Sequence, residues 1–281
     1  MQLRSPSWLR RSQTARLRHV NPHPLDRSTV VFAPHQDDET LGCGGTIILK
    51  RQAGTPVTIV FMTDGSTSHR RFMATPELRR VRRQEALDAA ELLGVTSDHL
   101  HFLDFPDGQL SGSHAAAVSN VCELLGRLQP DEVFVPYRAD GTADHEATYR
   151  VVAESIHHLG LEPRIYEYPV WLWNQWPWVP LKLELKRDTA RTLWRTLRSG
   201  LGLRVFEGFE TAVFVGDVLP KKRQALDQHR SQMTQLLPEV GWPILSDVSD
   251  GEFLKCFFQD FEIFRCTNPP VTVRKAESLK R

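Results

Sequence analysis

Apolar positions along this chain follow two rhythms that take turns. The run Thr29-Val30-Val31-Phe32-Ala33 has no polar alternation, which predicts a strand buried on both faces. A helical period then predicts a helix over 42–52, starting near a group of glycines. A second strand is expected over 57–62, closed by the turn pair Asp64-Gly65. A long helix follows over 77–93, with Gly94 as its C-cap. The same alternation predicts strands over 100–103, 132–135, 213–215 and 261–264. It predicts helices over 115–128, 143–158 and 221–236, with Pro106-Asp107-Gly108 as turn chemistry. Strands alternating with helices imply an α/β fold: a mostly parallel sheet with helices on both faces. Ligands of such sheets bind beyond the carboxyl ends of the strands.

The alternation breaks at Tyr168-Pro169-Val170-Trp171-Leu172-Trp173-Asn174-Gln175-Trp176-Pro177-Trp178. This stretch holds four of the seven tryptophans. It leads into a basic segment over 182–204, so 168–210 reads as a Trp/Arg-rich insertion. A packed hairpin or homo-oligomer contact, a lid over a sugar ring, and a peripheral membrane contact are its three readings. Residues 1–27 read as a basic N-terminal arm, since 1–25 carry five arginines and no acid. One domain is expected over 28–266, with a flexible tail over 267–281.

Composition narrows the classes. Of 281 residues, 35 Lys and Arg balance 34 Asp and Glu, a net charge of +1, so nucleic acid is not a default partner. The four cysteines, Cys43, Cys122, Cys256 and Cys266, lack CxxC spacing, which favours a reduced, cytoplasmic protein. No apolar run reaches the roughly 18 to 20 residues of a membrane span, and no signal peptide is evident.

Candidate chemistry concentrates in His35-Gln36-Asp37-Asp38-Glu39, at the expected carboxyl end of the first strand. Three adjacent acids repel one another and resist desolvation; a cation is the economical reason to gather them. His35 and Asp38 supply two ligands, whereas catalytic zinc takes three from the protein. A third is available beyond the fourth strand, in Asp140-Gly141-Thr142-Ala143-Asp144-His145. Two histidines, a carboxylate and an open position suit zinc or iron(II) hydrolytic chemistry. The glycines Gly42, Gly44 and Gly45 do not match a phosphate loop and are better explained by close helix packing.

The segment resembles the signature of the PIG-L/LmbE-like N-acetylglucosaminyl deacetylases over roughly 28–160, and again near 219–235. The resemblance implies a Rossmann-like, zinc-dependent hydrolase that removes acetyl groups from N-acetylglucosamine-type sugars or glycoconjugates. It implies His35, Asp38 and His145 as metal ligands and Asp37 as general base. Arg83, in Arg82-Arg83-Gln84-Glu85-Ala86, is the implied substrate arginine. Phe105-Pro106-Asp107-Gly108 resembles a further recurring loop, making Asp107 a substrate-contact candidate, and Lys222–232 resembles the family's late helix.

One position departs from the pattern. Many relatives read Asp-Gly-His-Pro-Asp-His where this chain has Asp140-Gly141-Thr142-Ala143-Asp144-His145. Thr142 replaces the histidine implied to stabilise the oxyanion or donate a proton, and Asp144 loses that partner. A neutral hydroxyl cannot act as a cationic acid at pH 7. His69, His229 or Asp37 itself are the substitutes considered. A sugar-binding relative that keeps the metal without catalysis, and an amidase acting on another small amide, are the competing readings.

Overall fold

The computed structural model describes residues 2–3, 23–182 and 208–267. Most of the basic segment of the insertion, expected over 182–204, lies outside them. The elements run β1 (Thr29–Ala33), α1 (Asp38–Gln52), β2 (Val57–Thr63), α2 (Thr75–Leu93), β3 (Leu100–Phe105), α3 (His114–Leu128), β4 (Glu132–Pro136), α4 (Ala143–Leu159) and β5 (Arg164–Tyr168). After the insertion come β6 (Thr211–Phe214), α5 (Leu219–Leu226), α6 (Arg230–Met233), α7 (Glu252–Lys255) and β7 (Phe261–Thr267). The seven-stranded sheet has the order β3-β2-β1-β4-β5-β7-β6. Strands β3 to β5 pair in parallel, and β7 is antiparallel to both its neighbours. This is the expected α/β architecture.

The unalternating apolar runs are explained by the two layers. Val31 and Ala33 of β1 join the core under α1 and α2, with Ile59, Phe61, Ala86 and Ala90. Val30 and Phe32 point the other way, into the core with Val121, Leu125, Val151 and Ile156 of α3 and α4. Successive side chains of a strand face opposite sides, so both must be apolar when both sides are covered.

Three differences from the pattern-based expectation bear on the site and its surroundings. Helix α1 begins at Asp38 rather than 42, because Asp38 and Glu39 occupy its first turn, where the helix dipole favours acids. The glycines therefore lie inside the helix. A Cβ on Gly42 would stand 2.3 Å from Tyr168 Cδ2, so a close approach of α1 to β5 requires that glycine. The late helix expected over 221–236 is broken into α5 and α6. The break turns His229 toward Glu39 at 3.0 Å, and lets Ser231 donate from its N–H and its hydroxyl to Glu85. Residues at the end of the basic arm pack on the domain. His23 is buried, 3.1 Å from Glu132, with its ring edge on Tyr166.

Candidate active site

Strands β1 and β4 are neighbours whose crossovers leave in opposite directions, which opens a crevice at their carboxyl ends. The loop after β1 brings His35 and Asp38 to that crevice, and the first turn of α4 brings His145. One donor atom from each lies within 4.8 Å of the other two. His35 Nδ1 and His145 Nε2 each stand 3.2 Å from the same oxygen, Asp38 Oδ2. The outer nitrogens face other carboxylates. His145 Nδ1 is 2.9 Å from Asp140, while His35 Nε2 is 3.2 Å from Asp107 and 3.4 Å from Asp144. Carboxylates behind ligating histidines fix ring orientation and raise basicity. Both ring nitrogens of His145 are buried without hydrogen-bond geometry, Nδ1 beside Asp140 and Nε2 beside Asp38. Proximity without hydrogen-bond geometry suits two ligands of one ion. The donor set of two imidazoles and a carboxylate fits zinc or iron(II).

The charges point the same way. Burial disfavours a charge on His35, but hydrogen bonds to Asp107, Asp144 and Asp38 outweigh it and hold the ring well above the ordinary histidine range. Burial likewise opposes His145, yet Asp38 and Asp140 raise it to about 9. Burial would raise Asp38, but the two histidines hold it far below the usual carboxylate range. Protons on the rings and a divalent cation are alternative ways to balance these carboxylates.

Asp37 stands beside this cluster in a strained backbone, with φ of 136°. Its N–H donates to Glu39 Oε2 at 2.9 Å, and Glu39 Oε1 meets His229 Nε2 at 3.0 Å. Burial pushes the Asp37 carboxyl up to about 7, against the pull of Arg82, whose Nη2 lies 3.5 Å away. Arg82 is itself 3% exposed and donates to the carbonyls of Gln36 and Gly65.

These groups form the floor of a cavity of about 290 Å³ that His35, Asp37, Asp38, Arg82 and Asp107 line. Arg83 does not reach it. Arg83 sits on the outer face of α2, 3.2 Å from Asp104, with its guanidinium over Phe102. Of the two neighbouring arginines, Arg82 rather than Arg83 lines the cavity. The sequence held the signal: Leu78, Arg82, Glu85, Ala86 and Ala89 share the buried face of α2, and Arg83 falls outside that period. Asp107 receives the Thr67 N–H at 2.9 Å and is held below its ordinary range: burial opposes this, and His35 prevails. Asp144 accepts from the N–H groups of Gly108 at 2.7 Å and Leu110 at 3.1 Å, so it braces the Asp107 loop from behind. Thr142 precedes α4, and its buried hydroxyl has no hydrogen-bond partner among the described residues. It does not line the cavity.

Sequence reasoning quoted Asp140 without giving it a role, and assigned none to Glu39. The structure makes each a support. Asp140 also accepts the N–H groups of Val170, Trp171 and Leu172 at 2.8–3.0 Å, which brings the start of the Trp-rich insertion to the cavity. Trp171 lines the cavity, whereas Trp173 and Trp178 pack edge-to-face in the core.

A doubly wound sheet with a His/Asp/His cluster at its switch point defines an α/β protein with a strand-end ligand site. Residues 30–156 match the model of the PIG-L family, described as GlcNAc-PI de-N-acetylase. A probable N-acetyl-alpha-D-glucosaminyl L-malate deacetylase 2 of Bacillus cereus is 29% identical over 50% of this chain and 66% of its own length. The diacetylchitobiose deacetylase of Thermococcus kodakarensis is 28% identical over 48% of this chain and 51% of its own. The match thus spans between half and two thirds of these relatives. A 1D-myo-inositol 2-acetamido-2-deoxy-alpha-D-glucopyranoside deacetylase of Nocardia farcinica is 28% identical over 71% of this chain and 78% of its own. Among solved structures, the N,N'-diacetylchitobiose deacetylase of Pyrococcus horikoshii shares the fold at a TM-score of 0.58 and 24% identity, covering 92% of both chains. The 4-carboxy-2-hydroxymuconate hydratase GalB of Pseudomonas putida shares it at 0.51 and 17%, covering 88% of this chain and 98% of its own. The fold alone therefore does not choose the reaction. No helix among the described residues is long and apolar enough to cross a membrane.

Proposed function

We propose that this protein hydrolyses the acetamide of an N-acetylglucosamine-type sugar or glycoconjugate with the help of a divalent metal. One observation carries the reading: His35, Asp38 and His145 converge within 4.8 Å beside Asp37, with His35, Asp37 and Asp38 lining a cavity and His145 buried against Asp38. Its support from relatives is that those matched are deacetylases of acetylated glucosamine derivatives.

His35 Nδ1, Asp38 Oδ2 and His145 Nε2 are the atoms that would hold the ion, with zinc our assignment and iron(II) acceptable to the same donors. Bound there, the ion supplies Lewis acidity and lowers the pKa of water toward ~7. Asp37 takes the proton of the attacking water as general base. Arg82, buried and fixed by two backbone carbonyls, steadies negative charge near Asp37. Asp107 and the cavity lip at Thr67 and Ser68 meet sugar hydroxyls.

The leaving amine needs a proton that Thr142 does not deliver. His229 stands behind Glu39, away from the cavity lining. His69 lines the cavity, but its Nε2 donates to the Pro243 carbonyl at 2.7 Å, and burial lowers its pKa, which leaves it neutral at pH 7. Asp37 therefore both accepts and returns the proton, and a carboxyl raised to about 7 suits that double duty. The four cysteines are all free, consistent with a cytoplasmic enzyme.

The test is acetate release from N-acetylglucosamine conjugates by metal-loaded protein. Activity that disappears in Asp37→Asn with metal retained supports the proposal. Sugar binding without turnover in the parent protein contradicts it.

A further inference from the structure

The cavity lining combines two chemically distinct sets of side chains. The charged and imidazole set is His35, Asp37, Asp38, His69, Arg82 and Asp107. The apolar set, Val170, Trp171, Ile244, Leu245, Val248 and Phe253, forms a wall drawn from the insertion and the 244–253 segment. We propose that this wall is a subsite for an apolar group carried by the amino sugar, so that the substrate is an apolar glycoconjugate rather than a second sugar or a free monosaccharide. The inference rests on the deacetylase reading above and names its substrate class.

Three observations carry it. First, the wall is largely branched aliphatic. Tryptophan faces stack on sugar rings, but Val170, Ile244, Leu245 and Val248 offer a hydroxylated unit no side-chain hydrogen-bond partner, and burying hydroxyls unpaired is unfavourable. Second, the wall is held together by its own contacts. Trp171 stacks on Phe253 at 5.1 Å and 20° between planes. Ser249 Oγ donates to Asn174 Oδ1 at 2.9 Å, which ties the 245–251 segment to the insertion, and Ile244 N–H donates to Asp247 at 2.9 Å. Asp140 pins the N–H groups of Val170 and Trp171 while facing His145, so one carboxylate positions both the wall and a candidate ligand. Third, the wall is assembled from two stretches far apart in sequence, 170–171 and 243–253, both outside the 30–156 stretch that matches the family model. At about 290 Å³, the cavity is near the lower limit of small-molecule sites, room for one sugar with its appendage along the wall.

The experiment compares kcat/KM of the metal-loaded protein on N-acetylglucosamine, diacetylchitobiose, the phenyl and hexyl glycosides of N-acetylglucosamine, and N-hexanoylglucosamine. The expected result is a gain of at least about tenfold for an apolar derivative over diacetylchitobiose. A gain on the glycosides places the apolar group on the aglycone side, and a gain on the N-hexanoyl sugar places it on the acyl side. A ratio of one or below on both arms overturns the subsite. Ile244→Ser combined with Val248→Ser should bring the ratio to about one, and an unchanged ratio in that folded variant also overturns it. If no substrate is turned over, the deacetylase reading fails separately. Calorimetric binding of the hexyl glycoside to metal-loaded Asp37→Asn protein then decides the subsite. Tighter binding than diacetylchitobiose, with a negative heat-capacity change, keeps it, and equal or weaker binding removes it.

Discussion

Asp140 Oδ2 stands 2.9 Å from His145 Nδ1, and the same carboxylate accepts three consecutive backbone N–H groups from Val170 to Leu172. A ring held this way presents Nε2 toward Asp38 in one orientation. Asp140→Asn should weaken metal affinity about 10- to 100-fold, the usual cost of losing such a support. His145→Ala should leave metal well below one equivalent. Metal analysis after dialysis checks both, and full occupancy in His145→Ala would move the third ligand elsewhere.

Asp37→Asn should keep its metal and lose about 100- to 10,000-fold in kcat. Burial raises the parent carboxyl to about 7, and a base works only when ionised, so the parent rate should climb with pH up to that region. A nearby cation favours the carboxylate, so the loaded enzyme's acid limb should lie at or below about 7. A pH profile of kcat tests this, and an unchanged acid limb in the residual activity of Asp37→Asn contradicts it.

Stability of the chelated protein should fall as pH rises above neutrality. His145 has a folded pKa of about 9 against an ordinary 6.5, so its protonation stabilises the fold fully below 6.5 and ceases to do so as pH passes 9. His35 is raised in the same sense. Asp38, Asp107 and Asp144 are lowered, so their contribution is present above the ordinary carboxylate pKa and disappears in acid. Metal binding needs the rings unprotonated, so stabilisation by added zinc should instead grow with pH. Thermal melts between pH 6.5 and 9.5, with and without chelator, measure the opposite slopes. Parallel curves would contradict the cluster.

Arg82→Ala and Arg83→Ala should separate cleanly. Arg82 is buried against Asp37, Gln36 and Gly65, and its loss leaves two buried carbonyls short of a donor, costing about 1–3 kcal/mol in stability. Removing its charge from the cavity should also cost about 100-fold or more in kcat/KM. Arg83 is half exposed in a surface pair with Asp104, and its removal should alter stability by about 1 kcal/mol or less. Denaturant melts and kinetics of the two variants decide the assignment. Equal effects would reject it.

The sequence by itself determined the layer order and the ligand candidates. Runs such as Thr29–Ala33 have apolar residues at both parities, which only a doubly covered strand needs, so the α/β class was legible. Acids gathered beside His35 carry an electrostatic cost that a cation offsets, so that cluster was legible too. Tertiary structure decided the rest, because those relationships join residues far apart in the chain. Helical phase distinguishes Arg82 from Arg83, but only packing shows that the buried face of α2 meets the crevice. The late helix breaks at His229 because Glu39, 190 positions away, offers a buried partner that local periodicity cannot see. The apolar wall exists only because the insertion at Trp171 and the segment around Phe253 fold onto each other, and no short-range pattern records a contact between them.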